Sequence, residues 1–168
     1  SCCRMRAGRR ETYNVWSGQK ELLKKVMIER DICMARDENT VLHVFNEYVQ
    51  AFQTLRAPAV TSYFHFPCML IAPQGVAVMA NATEVESLLD KMMEGLKARG
   101  SARSELTDVE AISLSENIVL VSVSRARYKT DGSQLERLGE TYAFRKIDNG
   151  WKIVSAIVHD PDVVLRLK

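Results

Sequence analysis

Two of the chain's three histidines, four of its five tyrosines and an arginine pair are the candidates for chemistry unaided by a cofactor. His65 stands just before an extended run, and His159 closes the last apolar run, directly ahead of Asp160-Pro161. A neutral imidazole both accepts and donates a proton near physiological pH, so a histidine facing an apolar pocket is a candidate general acid or base. Tyr48, Tyr63, Tyr128 and Tyr142 are candidates to polarise a carbonyl by donating a hydrogen bond. Strand alternation puts Arg125 and Arg127 on one face with Val119, Val121 and Val123, and puts Glu140 and Tyr142 on one face of the next strand. If that arginine face is the inner one, Arg127 is expected to pair with Glu140 across the hairpin, orienting an acid or binding a substrate carboxylate. The candidate catalytic set is therefore His65, His159, Tyr63, Tyr142 and Arg127. Against it stands a plainer reading: satisfied structural histidines, core tyrosines, and a cross-strand surface ion pair contributing under ~1 kcal/mol.

Other chemistry is not signalled. The chain has no G-x-S-x-G elbow, no P-loop and no dinucleotide fingerprint, so no cofactor is expected. Its four cysteines, Cys2, Cys3, Cys33 and Cys68, form no CxxC pair and have no ligand-spaced histidines, which points to free thiols and no metal site. At 168 residues and 19.0 kDa, with 46% hydrophobic and 26% charged residues, the chain fits one globular domain with room for an appendage. No apolar run reaches the roughly 18 residues of a spanning helix, and a cytoplasmic setting is the expectation. The net charge of +2 hides an asymmetry, since Arg4, Arg6, Arg9 and Arg10 crowd the first ten residues. Such an arm could touch phosphates, but no aromatic platform is interleaved with it, and a solvated extension is the preferred reading over a nucleic-acid contact.

The elements that must position the candidates follow from periodicity. Residues 1–35 read as a basic N-terminal extension, part helical over Glu21–Cys33, and residues 36–168 as the domain. Val41, Val44, Phe45, Tyr48, Phe52 and Leu55 repeat at helical spacing, which predicts a helix from Asp37 to Arg56, with Asp37, Asn39 and Thr40 as candidate caps. Pro58 suits the first turn of a short helix from Ala59 to about Phe64. A hairpin then joins Cys68–Ile71 to Val76–Met79 through Pro73-Gln74-Gly75. Thr83 and Glu86 read as a capping box that opens a helix reaching about Arg99. Four strands follow, Ser104–Leu114, Ile118–Thr130, Gln134–Ile147 and Trp151–His159, and the last turn, Asp148-Asn149-Gly150, carries the Asn-Gly pair that tight hairpins favour. Segregated helices and antiparallel strands make an α+β domain.

This order resembles the NTF2-like superfamily, the cone shared by ketosteroid isomerase, scytalone dehydratase and the SnoaL-like polyketide cyclases. The resemblance is carried by Val44-Phe45-Asn46-Glu47-Tyr48-Val49-Gln50-Ala51-Phe52, by Tyr128-Lys129-Thr130-Asp131-Gly132, and by Thr141-Tyr142-Ala143-Phe144-Arg145-Lys146 running into Gly150-Trp151-Lys152-Ile153. It covers about residues 36 to 160. It implies helices packed on a strongly curved antiparallel sheet, in the order α-α-β-β-α-β-β-β-β, around a pocket for an apolar or partly polar small molecule. It also implies that cofactor-free isomerisation, dehydration or cyclisation by His/Tyr acid-base chemistry is within reach. The ketosteroid isomerase set does not carry over, because Cys68 to Met79 holds no acid. The alternative reading is a non-catalytic ligand-binding or dimerisation module, a homodimer formed through an apolar sheet face.

Overall fold

The computed structural model describes residues 15–166, with side chains described from Lys20 onward. The chain divides into two compact units, Ser1–Cys33 and Met34–Lys168. The arginines of the basic arm lie outside the described residues. In the first unit, Leu22, Leu23, Val26, Met27, Ile28 and Ile32 are all exposed.

Helix α1 runs Val15–Gln53, well beyond the start expected at Asp37. Nothing between Glu21 and Arg36 interrupts a run of good helix formers, so the backbone has no reason to break there. Asp37 is accordingly not a cap. It is buried, and its carboxylate accepts from Lys146 Nζ at 2.9 Å. Nearby, Glu38 accepts from the Ser113 amide at 2.8 Å, and the Ser113 hydroxyl donates to the Met34 carbonyl at 3.1 Å. These bonds tie the helix to two strands, and its stripe of Val41, Phe45, Tyr48, Val49 and Phe52 is buried below them.

Helix α2 is a single turn, Ala57–Thr61, with Pro58 in its first positions. Strands β1 (Phe64–Ala72) and β2 (Gly75–Met79) form the hairpin. Helix α3 spans Ala82–Ala98 and is capped two residues earlier than the Thr83 box implies. Asn81 Oδ1 accepts from the Glu84 amide at 3.1 Å, while Glu84 Oε2 accepts from the Ala80 amide at 2.8 Å. Asn is as good an N-cap as Thr, and the helix buries Val85, Leu89, Met93 and Leu96. Strands β3 (Ser101–Ser115), β4 (Ile118–Lys129), β5 (Gln134–Ile147) and β6 (Gly150–His159) form the expected meander.

The six strands make one curved, unclosed sheet in the order β2-β1-β6-β5-β4-β3. The sheet is mixed, because β1 lies parallel to β6 while every other pairing is antiparallel. Register gives the two faces. Glu140 pairs with Val158, Tyr142 with Ala156 and Val121 with Tyr142, and these residues belong to the face covered by α1 and α3. Thr141, Ser122, Gly139 and His159 belong to the other. The segment after β6 covers part of that second face. The Leu165 amide donates to Ser122 Oγ at 3.1 Å, Arg137 pairs with Asp162 at 3.0 Å, and Arg166 pairs with Asp108.

Candidate active site

A cavity of about 650 Å³, counting the open space at its mouth, lies between the helices and the concave face. Its walls are mostly apolar: Tyr48 and Phe52 from α1, Val85, Leu88, Leu89 and Met92 from α3, and Phe64, Leu70, Met79, Ala156 and Val158 from the strands. The polar side chains in the lining belong to Arg127, Glu140, Tyr142 and Tyr48. A greasy pocket with a few placed polar groups is the usual form of a small-molecule site.

Register decides the partners of the two arginines. Arg127 lies opposite Glu136 and pairs with it, while Arg125 reaches diagonally to Glu140, its Nε donating to Oε2 at 2.6 Å. The expected Arg127–Glu140 pair is thus replaced by two pairs, because Glu140 lies opposite Val123, two residues nearer Arg125 than Arg127. Arg125 Nη1 also donates to Ser104 Oγ at 3.0 Å, and Arg99 donates to Glu136 at 2.5 Å. Arg125 is 3% exposed and Glu140 8%, so this ion pair is within the protein. Burial opposes the Arg125 charge, but Glu140 outweighs it and drives the guanidinium pKa up. Burial likewise opposes the Glu136 charge, and the hydrogen bonds from Arg99 and Arg127 outweigh it, so the carboxyl is held below its usual range.

Tyr48 and Tyr142 meet in the cavity wall, ring centroids 5.4 Å apart and nearly edge to face. Burial pushes the Tyr48 phenol up to about 12, and the Glu140 charge adds to it. The same two causes, in the same order, raise Tyr142 well above the ordinary phenol value. Both side chains therefore stay protonated and serve as hydrogen-bond donors at any physiological pH. A further consequence concerns stability. Between about pH 10, where an unfolded tyrosine ionises, and about 12, the folded chain holds more protons than the unfolded one, so stability falls as pH rises. Urea unfolding at pH 8 and pH 10.5 is expected to show this drop, and Tyr48→Phe is expected to shrink it. An equal drop in the variant would mean that the Tyr48 phenol is solvated.

The candidates singled out from sequence separate in space. Tyr142 and Arg127 line the cavity, and they are joined there by Glu140 and Tyr48. Tyr63 is half-buried and packs edge-on against Tyr48 at 5.9 Å, outside the cavity lining. His65 is half-buried on β1 and does not line the cavity. His159 lies on the opposite face of the sheet, since it is Val158 that shares a register position with Glu140. Its Nδ1 bonds the Asp160 carbonyl at 2.9 Å and its Nε2 meets Thr141 Oγ1 at 2.8 Å. Thr141 in turn shares a hydrogen bond with Ser122, which accepts the Leu165 amide. The alternation of Arg125, Arg127, Glu140 and Tyr142 was the available signal for the polar cluster. Both faces of β4 are buried over Val121–Arg127, so alternation alone could not choose between them. Cys68 is an unpaired, buried thiol that burial pushes up to about 11.

These features define an α+β cone with an apolar pocket and a polar inner cluster. The family model for NTF2-like protein (DUF6841) matches residues 37–161, and the chain belongs to that family. A comparison with curated proteins finds no match. Among solved structures, the chain is similar to a cystatin-like-fold protein of unknown function from Nostoc punctiforme, at 13% identity and TM-score 0.62 over 74% of this chain and 90% of that one. It is also similar to an NTF2-like protein from Novosphingobium aromaticivorans, at 14% identity and TM-score 0.61 over 83% and 87%. A ketosteroid isomerase-like protein from Erwinia carotovora atroseptica matches at 17% identity and TM-score 0.53 over 73% and 94%. At these identities the likeness establishes the fold. No helix among the described residues is long and apolar enough to cross a membrane.

Proposed function

We propose that this chain binds an apolar or partly polar small molecule in its cone and moves a proton on it without a cofactor. The observation that carries the reading is the convergence of one carboxylate and two neutral phenols, with the Arg127 guanidinium, in a mostly apolar cavity. Glu140 is the general base. Its Oε2 is held by Arg125, and Oε1 has no hydrogen-bond partner among the described residues. Tyr142 and Tyr48 are the donors that stabilise charge developing on a substrate oxygen, in the manner of an oxyanion hole. The reaction classes that need only these parts are isomerisation, dehydration and cyclisation adjacent to a carbonyl. His65, His159 and Tyr63 have no part in this reading. A reducing, cytoplasmic setting belongs to it, since Cys68 is an unpaired thiol.

The test uses 2-tetralone, a compact apolar ketone with acidic α-protons, dissolved in D2O. Proton NMR is expected to show α-exchange faster than in buffer, and Glu140→Gln is expected to slow it by about 10²-fold or more. Tetralone that binds but exchanges at the buffer rate would leave a binding protein and remove the catalytic part.

A second reading rests on a separate feature. Met69, Val76, Val78 and Ile157 share the outer face of the β2-β1-β6 end of the sheet, and all four are exposed. Exposed apolar patches mark contact surfaces, and an isologous pairing of this patch would make a homodimer. Light scattering at micromolar concentration is expected to give twice the chain mass, and Val78→Arg to return it to one. A monomer before substitution would dismiss the dimer.

A further inference from the structure

The polar cluster of the cavity is not neutral. Three guanidiniums and two carboxylates stand here in two sets: Arg99 and Arg127 share Glu136, and Arg125 pairs with Glu140. The first set carries a formal surplus of one positive charge, and among the described residues Glu140, already balanced by Arg125, is the only carboxylate that lines the cavity. The surplus is not spread evenly. Arg125 is 3% exposed, is balanced by Glu140 and does not line the cavity, while Arg99 is half-exposed at the surface. Arg127 is the arginine of the lining, with its side chain 8% exposed and its guanidinium carbon 6.0 Å from the centre of the Phe52 ring.

Only Nη1 of Arg127 is engaged among the described residues, by Glu136. Among the described residues, the single buried side-chain polar atom sealed off without a partner is Ser124 Oγ, on the other face of the sheet. The uncommitted donors of Arg127 are therefore not sealed, and they belong to a residue that lines the cavity. A buried guanidinium with an open donor edge, fixed in place by a carboxylate on its other side, is a receptor for a planar anion.

Resting on the reading of the cone as a small-molecule site, we infer that its ligand is a carboxylate-bearing apolar molecule whose carboxylate seats on the open edge of Arg127. The apolar body lies against Phe52, Leu88, Met92 and Leu138. A carboxylate fits better than a phosphate, because one guanidinium edge presents two parallel donors and the surplus is a single charge. Glu140 does not repel such a ligand decisively, because Arg125 neutralises it at 2.6 Å. The arrangement also places the ligand's carbon chain beside the Glu140 and Tyr142 groups that the proton transfer requires.

The test compares 4-phenylbutyrate with 4-phenylbutanamide, which share size and shape but not charge, by titration calorimetry on the full chain. Nile red, a neutral dye, reports separately on the cavity through a fluorescence gain that Leu88→Trp should suppress. The carboxylate is expected to bind about 10–100-fold more tightly than the amide. Arg127→Gln should bring the two affinities together, and Arg127→Lys, which retains the charge but not the two parallel donors, should keep only part of the preference. Melting curves establish that each variant is folded. Equal affinities, a preference for the amide, or Nile red binding with neither of the pair would each overturn the anion assignment while leaving the cavity intact. Absence of binding by all three compounds would overturn the small-molecule site itself.

Discussion

Replacing Glu140 with alanine is expected to lower stability by about 3–5 kcal/mol, a fall in melting midpoint of roughly 6–20 °C. The cause is not the loss of the ion pair as such, because desolvating both groups cancels much of their attraction. The cost arises from Arg125, which would be left charged at 3% exposure with only Ser104 as a partner. Arg125 cannot escape by releasing its proton, since a guanidinium stays charged throughout the accessible range. Removing both members together, Arg125→Met with Glu140→Met, is expected to recover most of the loss, because a shape-matched apolar pair leaves no buried charge behind. Denaturant unfolding of the two variants beside the parent chain checks this. A loss below ~1 kcal/mol in Glu140→Ala would show that water reaches Arg125, and the low-dielectric character of the polar cluster would fall with it.

Gly139→Ala is expected to cost about 2–3 kcal/mol, by overpacking rather than by backbone strain. A Cβ at this position would lie 2.3 Å from His159 Nδ1, 2.5 Å from its Cε1 and 2.4 Å from the Asp160 carbonyl oxygen. The imidazole can rotate away only by leaving Thr141, and the carbonyl can move only with the backbone of the closing segment. Loosening is therefore expected to travel along His159, Thr141 and Ser122 to Leu165, whose amide bonds Ser122. Hydrogen exchange at the Leu165 amide should accelerate in Gly139→Ala, and adding His159→Ala should restore part of the stability. Wild-type stability together with unchanged Leu165 exchange would show that residues 160–165 do not rest on this face. The same geometry gives His159 a structural role, as the first link between the sheet and the segment that covers its outer side.

Much of the architecture was legible because it rests on local periodicity. The four-strand meander, the two hairpin turns with Gly132 and Gly150, and the apolar stripes of the helices all come from spacing and turn chemistry. Local competition decided two details otherwise. Asn81 and Thr83 can both cap α3, and Asn81 is the one used, its side chain accepting from the Glu84 amide while the Glu84 carboxylate returns to the Ala80 amide. Asp37 can cap a helix or receive Lys146, and an unbroken run of helix formers upstream left it to Lys146. The parallel contact of β1 with β6 joins segments some ninety residues apart, and no local pattern encodes such a partner.

By itself the sequence determined the element order, the inward stripe of α1 and the α+β class, because each depends on neighbours three or four residues apart along the chain, or two along a strand. It also determined that Arg125, Arg127, Glu140 and Tyr142 would fall into shared parities. Only the tertiary structure decided which parity faces the cavity, which carboxylate meets which arginine, and that His159 faces away from it. Alternation makes the two faces of a strand equivalent until something packs on one of them. Here α1 and α3 take one side, and the residues after His159 take part of the other.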